Sequence, residues 1–247
     1  MKTKSILRIF LTAVFVLGTF AIHAQTKVYV HKSDGLSEEY NIADIDSISL
    51  NPRETLEPGW NNVTASSGLK NTSAPFANDG VSVFWNVFSI KDWTVNPALA
   101  ANGTVNLERD YAIAFMVVDA WGIYSPSQNI VNGKLFQTVK LGAGKYEFSI
   151  EVRNCHNLED DVVFFGAALG NDLPDADAME GPKALNFVAI PAGWYGPSSG
   201  PDWVDTPVSC EFELSEASIV SLGFLIPDMK NLNMVHIAKV ELWKYYE

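Results

Sequence analysis

From about residue 81 onward, apolar and polar positions alternate one by one in short runs. That two-residue period marks strands with one buried and one wet face. The clearest case spans 135–152. Val139 and Leu141 alternate with polar neighbours, Gly142-Ala143-Gly144 turns the chain, and Tyr146, Phe148, Ile150 and Val152 alternate again. The pattern predicts strand, tight glycine turn, strand: a hairpin whose glycines supply the positive φ that a short turn needs. Strands are predicted over 81–89, 104–106, 111–118, 135–141, 146–153, 162–169, 185–190, 208–214, 218–225 and 234–245. No stretch of ten or more residues carries a 3.6-residue apolar period, so helices are expected to be few and short. The expected fold class is all-β, with residues 59–247 forming one β-sandwich or jelly roll.

A second piece precedes it. Residues 25–52 read as a strand through Val28 and Val30, an Asp34-Gly35 turn, a strand through Glu38–Ile42, and a third alternating run through Ile45–Leu50. Asp-Gly between alternating runs is a strong hairpin signal. A segment this short cannot bury enough surface to fold alone, so an appendage, a strand donor or a spacer is expected. Residues 53–58, with Pro58 and alternating charges but no periodicity, read as a linker. Residues 1–24 read as a signal peptide, with Lys2, Lys4 and Arg8 ahead of the apolar run Ile9–Ile22 and cleavage after Ala24. That run is shorter than the ~20 residues of a spanning helix. No cysteine follows it, which argues against a lipoprotein, and no transmembrane segment is expected elsewhere. The chain should be exported, ending periplasmic, secreted or at the cell surface.

The phrase Asn132-Gly133-Lys134-Leu135-Phe136-Gln137-Thr138-Val139-Lys140-Leu141-Gly142-Ala143-Gly144-Lys145-Tyr146-Glu147-Phe148 resembles the galactose-binding-like β-sandwich domains of secreted and surface Bacteroidetes proteins. Phe136 stands where that family often has Tyr, and Gly142 where Pro is frequent. The resemblance implies a jelly-roll, carbohydrate-binding-module-like fold, and it implies that the final run closes the sandwich beside the first. It is strongest over 130–150, weaker at 215–224 and weakest from 158 to 207.

Charge narrows the partners. The net charge is −12, and loss of Lys2, Lys4 and Arg8 with the leader makes it more negative still. Such a chain repels a polyphosphate, so nucleic acid is excluded as a partner. The two cysteines, Cys155 and Cys210, lie in an exported chain where a disulfide could form. Strand parity puts Cys210 with apolar Val208 and Phe212, and Cys155 on the polar side unless a bulge intervenes, which speaks against a bridge.

Catalytic signals are thin. His31, His156 and His236 sit near no Gly-x-Ser-x-Gly elbow, and His-x-His, His-Glu-x-x-His and Cys-x-x-Cys are missing. They read as surface or strand residues, and neither a catalytic residue nor a metal ligand is assigned. Acids gather at Glu159-Asp160-Asp161, at Asp172, Asp175, Asp177 and Glu180, and at Asp202 and Asp205. The Asp172–Glu180 loop could supply some oxygens to a structural calcium, though it lacks an EF-hand spacing. A glycosidase would need two carboxylates at a fixed gap across a cleft, and nothing in the sequence singles out such a pair.

Aromatics say more. Trp121 and Tyr124 fall in one Gly/Pro-flanked stretch, and Trp194, Tyr195 and Trp203 in another. Rigid aromatics on loops of a β scaffold are what a ligand surface looks like. Flat rings stack on the apolar C–H faces of sugars. These five are therefore the candidate ligand-binding residues, while Trp85 and Trp243, in strands, are expected inside. The reading is a secreted, non-enzymatic carbohydrate-binding module with a glycan or a cell-envelope protein as partner. A structural or protein-interaction domain stays open beside it, with a glycoside hydrolase behind both.

Overall fold

The computed structural model describes residues 27–31, 37–41, 57–84, 86–106, 110–117, 129–157, 163–191, 193–195, 206–230 and 234–247. The chain divides into two units, Met1–Thr55 and Leu56–Glu247. In the first, β1 (Lys27–His31) and β2 (Ser37–Asn41) pair antiparallel, with Lys27 opposite Asn41 and His31 opposite Ser37. This is the hairpin expected around Asp34-Gly35. The leader, the third alternating run and the linker up to residue 56 lie outside the described residues.

The second unit is an antiparallel sandwich of two sheets. Its strands are β3 (Gly59–Asn62), β4 (Asn78–Phe84), β5 (Val87–Ile90), β6 (Thr94–Val95), β7 (Val105–Asn106), β8 (Ala112–Met116), β9 (Ile130–Leu141), β10 (Gly144–Asn157), β11 (Phe164–Leu169), β12 (Ala184–Ala189), β13 (Gly193–Tyr195), β14 (Thr206–Leu214), β15 (Ser218–Met229) and β16 (Met234–Tyr246). Among the described residues, one sheet runs β13-β10-β16-β8-β7-β5-β4, with β14 also on β10 and β3 also on β16. The other runs β12-β11-β15-β9-β6. Among the described residues, helical structure is limited to two four-residue turns, α1 (Thr64–Ser67) and α2 (Pro97–Ala100), and a 3-10 turn at Ala176–Ala178.

The expected hairpin at Gly142–Gly144 is not one. β9 belongs to the five-stranded sheet and β10 to the other, so the turn carries the chain from one sheet across to its partner. The alternation explains this. Val139 and Leu141 on β9 and Tyr146, Phe148 and Ile150 on β10 are all buried, and they lie in one core between the sheets. Strands whose apolar faces meet across a core cannot also share a ladder. The Tyr146 hydroxyl donates to Gly142 O at 2.9 Å and ties the crossing down. The turn between β14 and β15, whose inward residues include Phe212, Leu214, Val220 and Leu222, crosses in the same way.

β16 occupies the middle of its sheet. β10 pairs along one side of it, from Tyr146↔Lys244 to His156↔Met234, with bulges near Val152. Along the other side lie β3, from Trp243↔Asn62 to Tyr246↔Gly59, and β8, from Met234↔Met116 to Ile237↔Ile113. Between those two strands the segment 72–74 fills in, where Val240 N donates to Thr72 O and Ala74 N to Ala238 O. The final run therefore does close beside the first strand of the sandwich. Residues 235–238, His236 included, are buried on both faces, so the alternation of β16 lapses at its start.

A row of small and large residues crosses the other sheet. Phe187, Gly166, Gly223 and Phe136 stand side by side on β12, β11, β15 and β9. Phe136 and Phe187 pack with Ala168 and Leu173 in a satellite cluster apart from the main core. At one side of the sandwich the sheet edges are joined. Asn186 on β12 donates from Nδ2 to Glu211 O on β14, and the Cys210 thiol lies 3.5 Å from Asn186 O.

Candidate functional site

β3, β10, β14 and β16 turn Tyr146, Phe148, Ile150, Phe212, Leu214, Val240 and Leu242 inward, where all are buried. Alternation then puts the residues between them on the outer face. One row across that face reads Glu211, Glu147, Trp243, Asn62, and the next reads Ser209, Ser149, Glu241. Beside the first row, Trp60 and Tyr245 stand directly opposite each other with ring centroids 5.5 Å apart at 73°. Trp60 and Trp243 are half-buried, and Tyr245 is 43% exposed. Lys145 Nζ lies 5.3 Å from the Trp60 ring centroid and 2.6 Å from Glu211 Oε2. Burial raises the Glu147 carboxyl above the usual range, helped by Glu211 and opposed by Lys145.

Trp243 was expected inside. It shares the phase of Lys239 and Glu241, not of Val240 and Leu242, and so it faces outward. That phase was available in the sequence; the size of the indole invited the wrong reading.

An open groove of about 360 Å³ adjoins these rings, lined by Asn62, Thr64, Thr72, Ser73, Lys239 and Glu241 among others. α1 and the 72–73 segment form its wall. The αL glycine Gly68 ends α1. Beyond it Asn71 fixes the chain, donating to Ala77 O and Lys91 O, accepting from Ala77 N, and receiving the Trp93 indole N–H on its carbonyl. Inside the groove Glu241 Oε1 accepts from Asn62 Nδ2 at 3.0 Å and from Lys239 Nζ at 2.8 Å. Lys239 also reaches Glu151 Oε1 at 3.4 Å, and its hydrogen bond to Glu241 holds its pKa above the usual lysine value. Thr64 Oγ1 is committed to the backbone of Leu242.

Of the five candidate ligand residues, two are described in part. Trp121, Tyr124 and Trp203 lie outside the described residues, as does Trp85. For Trp194 and Tyr195 the backbone alone is described. It runs in β13, with Trp194 opposite His156 and Tyr195 opposite Cys155 on β10. The expected loop is at these two positions a strand, because β14 leaves the far end of β10 unpaired and β13 takes up its hydrogen bonds.

Cys210 is buried and free, and burial pushes its thiol up to about 12. It stands opposite Phe148 on β10, seven residues along that strand from Cys155. That places the two cysteines roughly 20 Å apart at strand spacing, far beyond a disulfide. The bulges near Val152 also intervene before Cys155, so the expected parity argument does not apply to it; the register does the separating.

Two of the acids weighed for calcium have other work. Asp175 Oδ1 lies 2.8 Å from Lys134 Nζ and accepts from Asn132 Nδ2 at 2.8 Å; Asp172 stands 3.6 Å from the same ammonium. Lys134 is buried on β9 and donates also to Leu173 O at 2.7 Å. Asn132 first and Lys134 second hold the Asp175 carboxyl below its usual range. Among the described residues no three of His, Cys, Asp and Glu gather as metal ligands.

Residues 70–223 match a protein family described as a domain of unknown function (DUF5013). No curated protein matches the chain. Two solved structures are similar to it. The K3 cleaved adhesin domain of Lys-gingipain (Kgp) from Porphyromonas gingivalis w83 is 12% identical with a TM-score of 0.38, and the match covers 62% of this chain and 91% of that one. TmCBM61, in complex with beta-1,4-galactotriose, is 14% identical with a TM-score of 0.32, and covers 78% of this chain and 99% of that one.

Proposed function

The chain belongs to the DUF5013 family, a description that assigns no activity, and from the chemistry of its own surface we propose an exported, non-enzymatic module that binds carbohydrate. One observation carries the reading. Trp60, Trp243 and Tyr245 share an outer sheet face, partly open to solvent, beside the polar groups of Asn62, Glu147 and Glu241. A sugar presents apolar C–H faces and a rim of hydroxyls, so it is met by a flat ring with hydrogen-bonding groups at its edge. Rings placed only for stability would be buried in the core, as Trp93 is.

Export rests on the leader-like residues 1–24, and the resemblance of 130–150 to secreted and surface Bacteroidetes proteins supports the same address. Trp121, Tyr124, Trp194, Tyr195 and Trp203 belong to the proposal as a second set of ligand-binding residues. A structural or protein-interaction role at the cell envelope is the competing reading.

The test is affinity electrophoresis of residues 25–247 through gels containing polysaccharides. Retarded migration in at least one gel, relieved by adding the free oligosaccharide, is expected. Unretarded migration in every gel defeats the carbohydrate reading and leaves the protein-interaction role.

A further inference from the structure

We propose that the groove beside the rings and the face of Trp243 form one binding site for an uncharged, extended glycan. This rests on the carbohydrate reading above and narrows it to a place and a ligand class. Lys239, Glu241, Trp243 and Tyr245 follow one another at every second position of β16, so groove and rings lie on one face. From Tyr245 to Lys239 the strand advances roughly 20 Å, longer than a single sugar ring. Trp60 is already faced by the Lys145 ammonium. Trp243, standing between Asn62 and Glu147, is the ring left for stacking.

Within the groove the donors and acceptors suit a sugar diol. Glu241 is held on Oε1 by both Asn62 and Lys239, and among the described residues no donor meets its Oε2. A carboxylate fixed in this way accepts from a ligand hydroxyl without first having to be ordered. The neighbouring ammonium can donate to the next hydroxyl, and Thr72 and Ser73 offer hydroxyls on the opposite wall.

Charge selects the class. The face carries Glu147, Glu151, Glu211, Glu213 and Glu241 against Lys145 and Lys239, and both lysines already sit on glutamates. A uronate or sulfate would meet repulsion, and among the described residues of this face no free cation offsets it. A protein partner would anchor an apolar side chain in an enclosed, desolvated pocket, whereas this open groove sets an amide, hydroxyls and an ion pair beside apolar Ala65, Leu69 and Val240, a mixture that suits the hydroxyls and C–H faces of a sugar.

The experiment measures binding of the exported chain to soluble glucan, galactan, mannan and xylan, and to polygalacturonate and chondroitin sulfate. It is run beside Trp243→Ala and Glu241→Gln, each checked for an unchanged fold by thermal melting. A neutral polysaccharide should bind, and Glu241→Gln should weaken it about tenfold or more, the scale of one charge-assisted hydrogen bond. Trp243→Ala should weaken it at least as much. Folded Glu241→Gln and Trp243→Ala proteins that bind normally overturn the site while leaving the function standing. Preference for polygalacturonate or chondroitin sulfate overturns the ligand class. Should the parent bind none of the six, the carbohydrate reading itself fails.

Discussion

Gly223 is a glycine because the neighbouring strand β9 leaves no room for anything else. A Cβ there would sit 2.1 Å from Leu135 O and 2.6 Å from Phe136 Cα, both backbone atoms of β9. Gly166, its neighbour across the β11–β15 ladder, is confined in the same way by β12, where a Cβ would meet Asn186 O at 2.1 Å. Neither strand can retreat, since each is held in a ladder. Gly223→Ala should cost roughly 1–3 kcal/mol, towards the upper end for a backbone clash, read as a lower midpoint in urea unfolding. The sequence shows these glycines but not what lies across from them, so the crowding was not legible. Trp243 is the contrary case: its phase was written in the chain, and an expectation about indoles overrode it.

At the scale of elements, long strands announced themselves and short ones did not. All ten predicted strands are present, the long ones β9, β10, β14, β15 and β16 extending beyond the alternation and β7, β8 and β11 falling short of it; the 81–89 run is divided into β4 and β5. β3, β6 and β13 have four, two and three residues, too few to display a period. They exist because β16, β9 and β10 offer them open edges, which is tertiary information. The crossing at Gly142–Gly144 was misread for a related reason. Alternation tells which residues face a core, but it does not tell whether the next strand lies beside its predecessor or across from it.

The loop after β11 is pinned from below. Lys134 reaches out of β9 to Leu173 O and Asp175, and Leu173 covers the Phe136–Phe187 cluster. Lys134→Met should leave Leu173 O unpaired and release Asp175. The expected cost is about 1–3 kcal/mol, with faster amide exchange confined to 171–177. The Asp175 carboxyl titrates below its unfolded value, so its contribution is present above the ordinary carboxylate range. It is lost as pH falls through the lowered folded value. Slowed loop exchange should therefore fade in acid in the parent and show a weaker pH dependence in the variant, where the Asn132 hydrogen bond alone still holds Asp175.

At the scale of the molecule, the all-β sandwich and its closure by the last run beside the first were expected and are found. The seam between the sheets was not. β12 and β14 are edge strands of opposite sheets, and Asn186 ties them with its side chain and its carbonyl. Because this tie joins layers rather than neighbours, its loss loosens the sandwich as a whole. Asn186→Ala should cost about 1 kcal/mol, lowering the urea midpoint with an unchanged m-value.

The central place of β16 has a consequence for how the protein is made. A ribosome delivers the chain from its N-terminus, so residues 56–233 emerge while the middle strand of the larger sheet is still unwritten. β10, β8 and β3 have by then nothing to pair with across the gap that β16 will fill. Partners as far apart in sequence as Gly59 and Tyr246 must wait for it, a topology of distant pairings that folds slowly. The larger sheet thus stays incomplete for nearly the whole of synthesis. A translocating pore that accepts only unfolded polypeptide would find the chain ready.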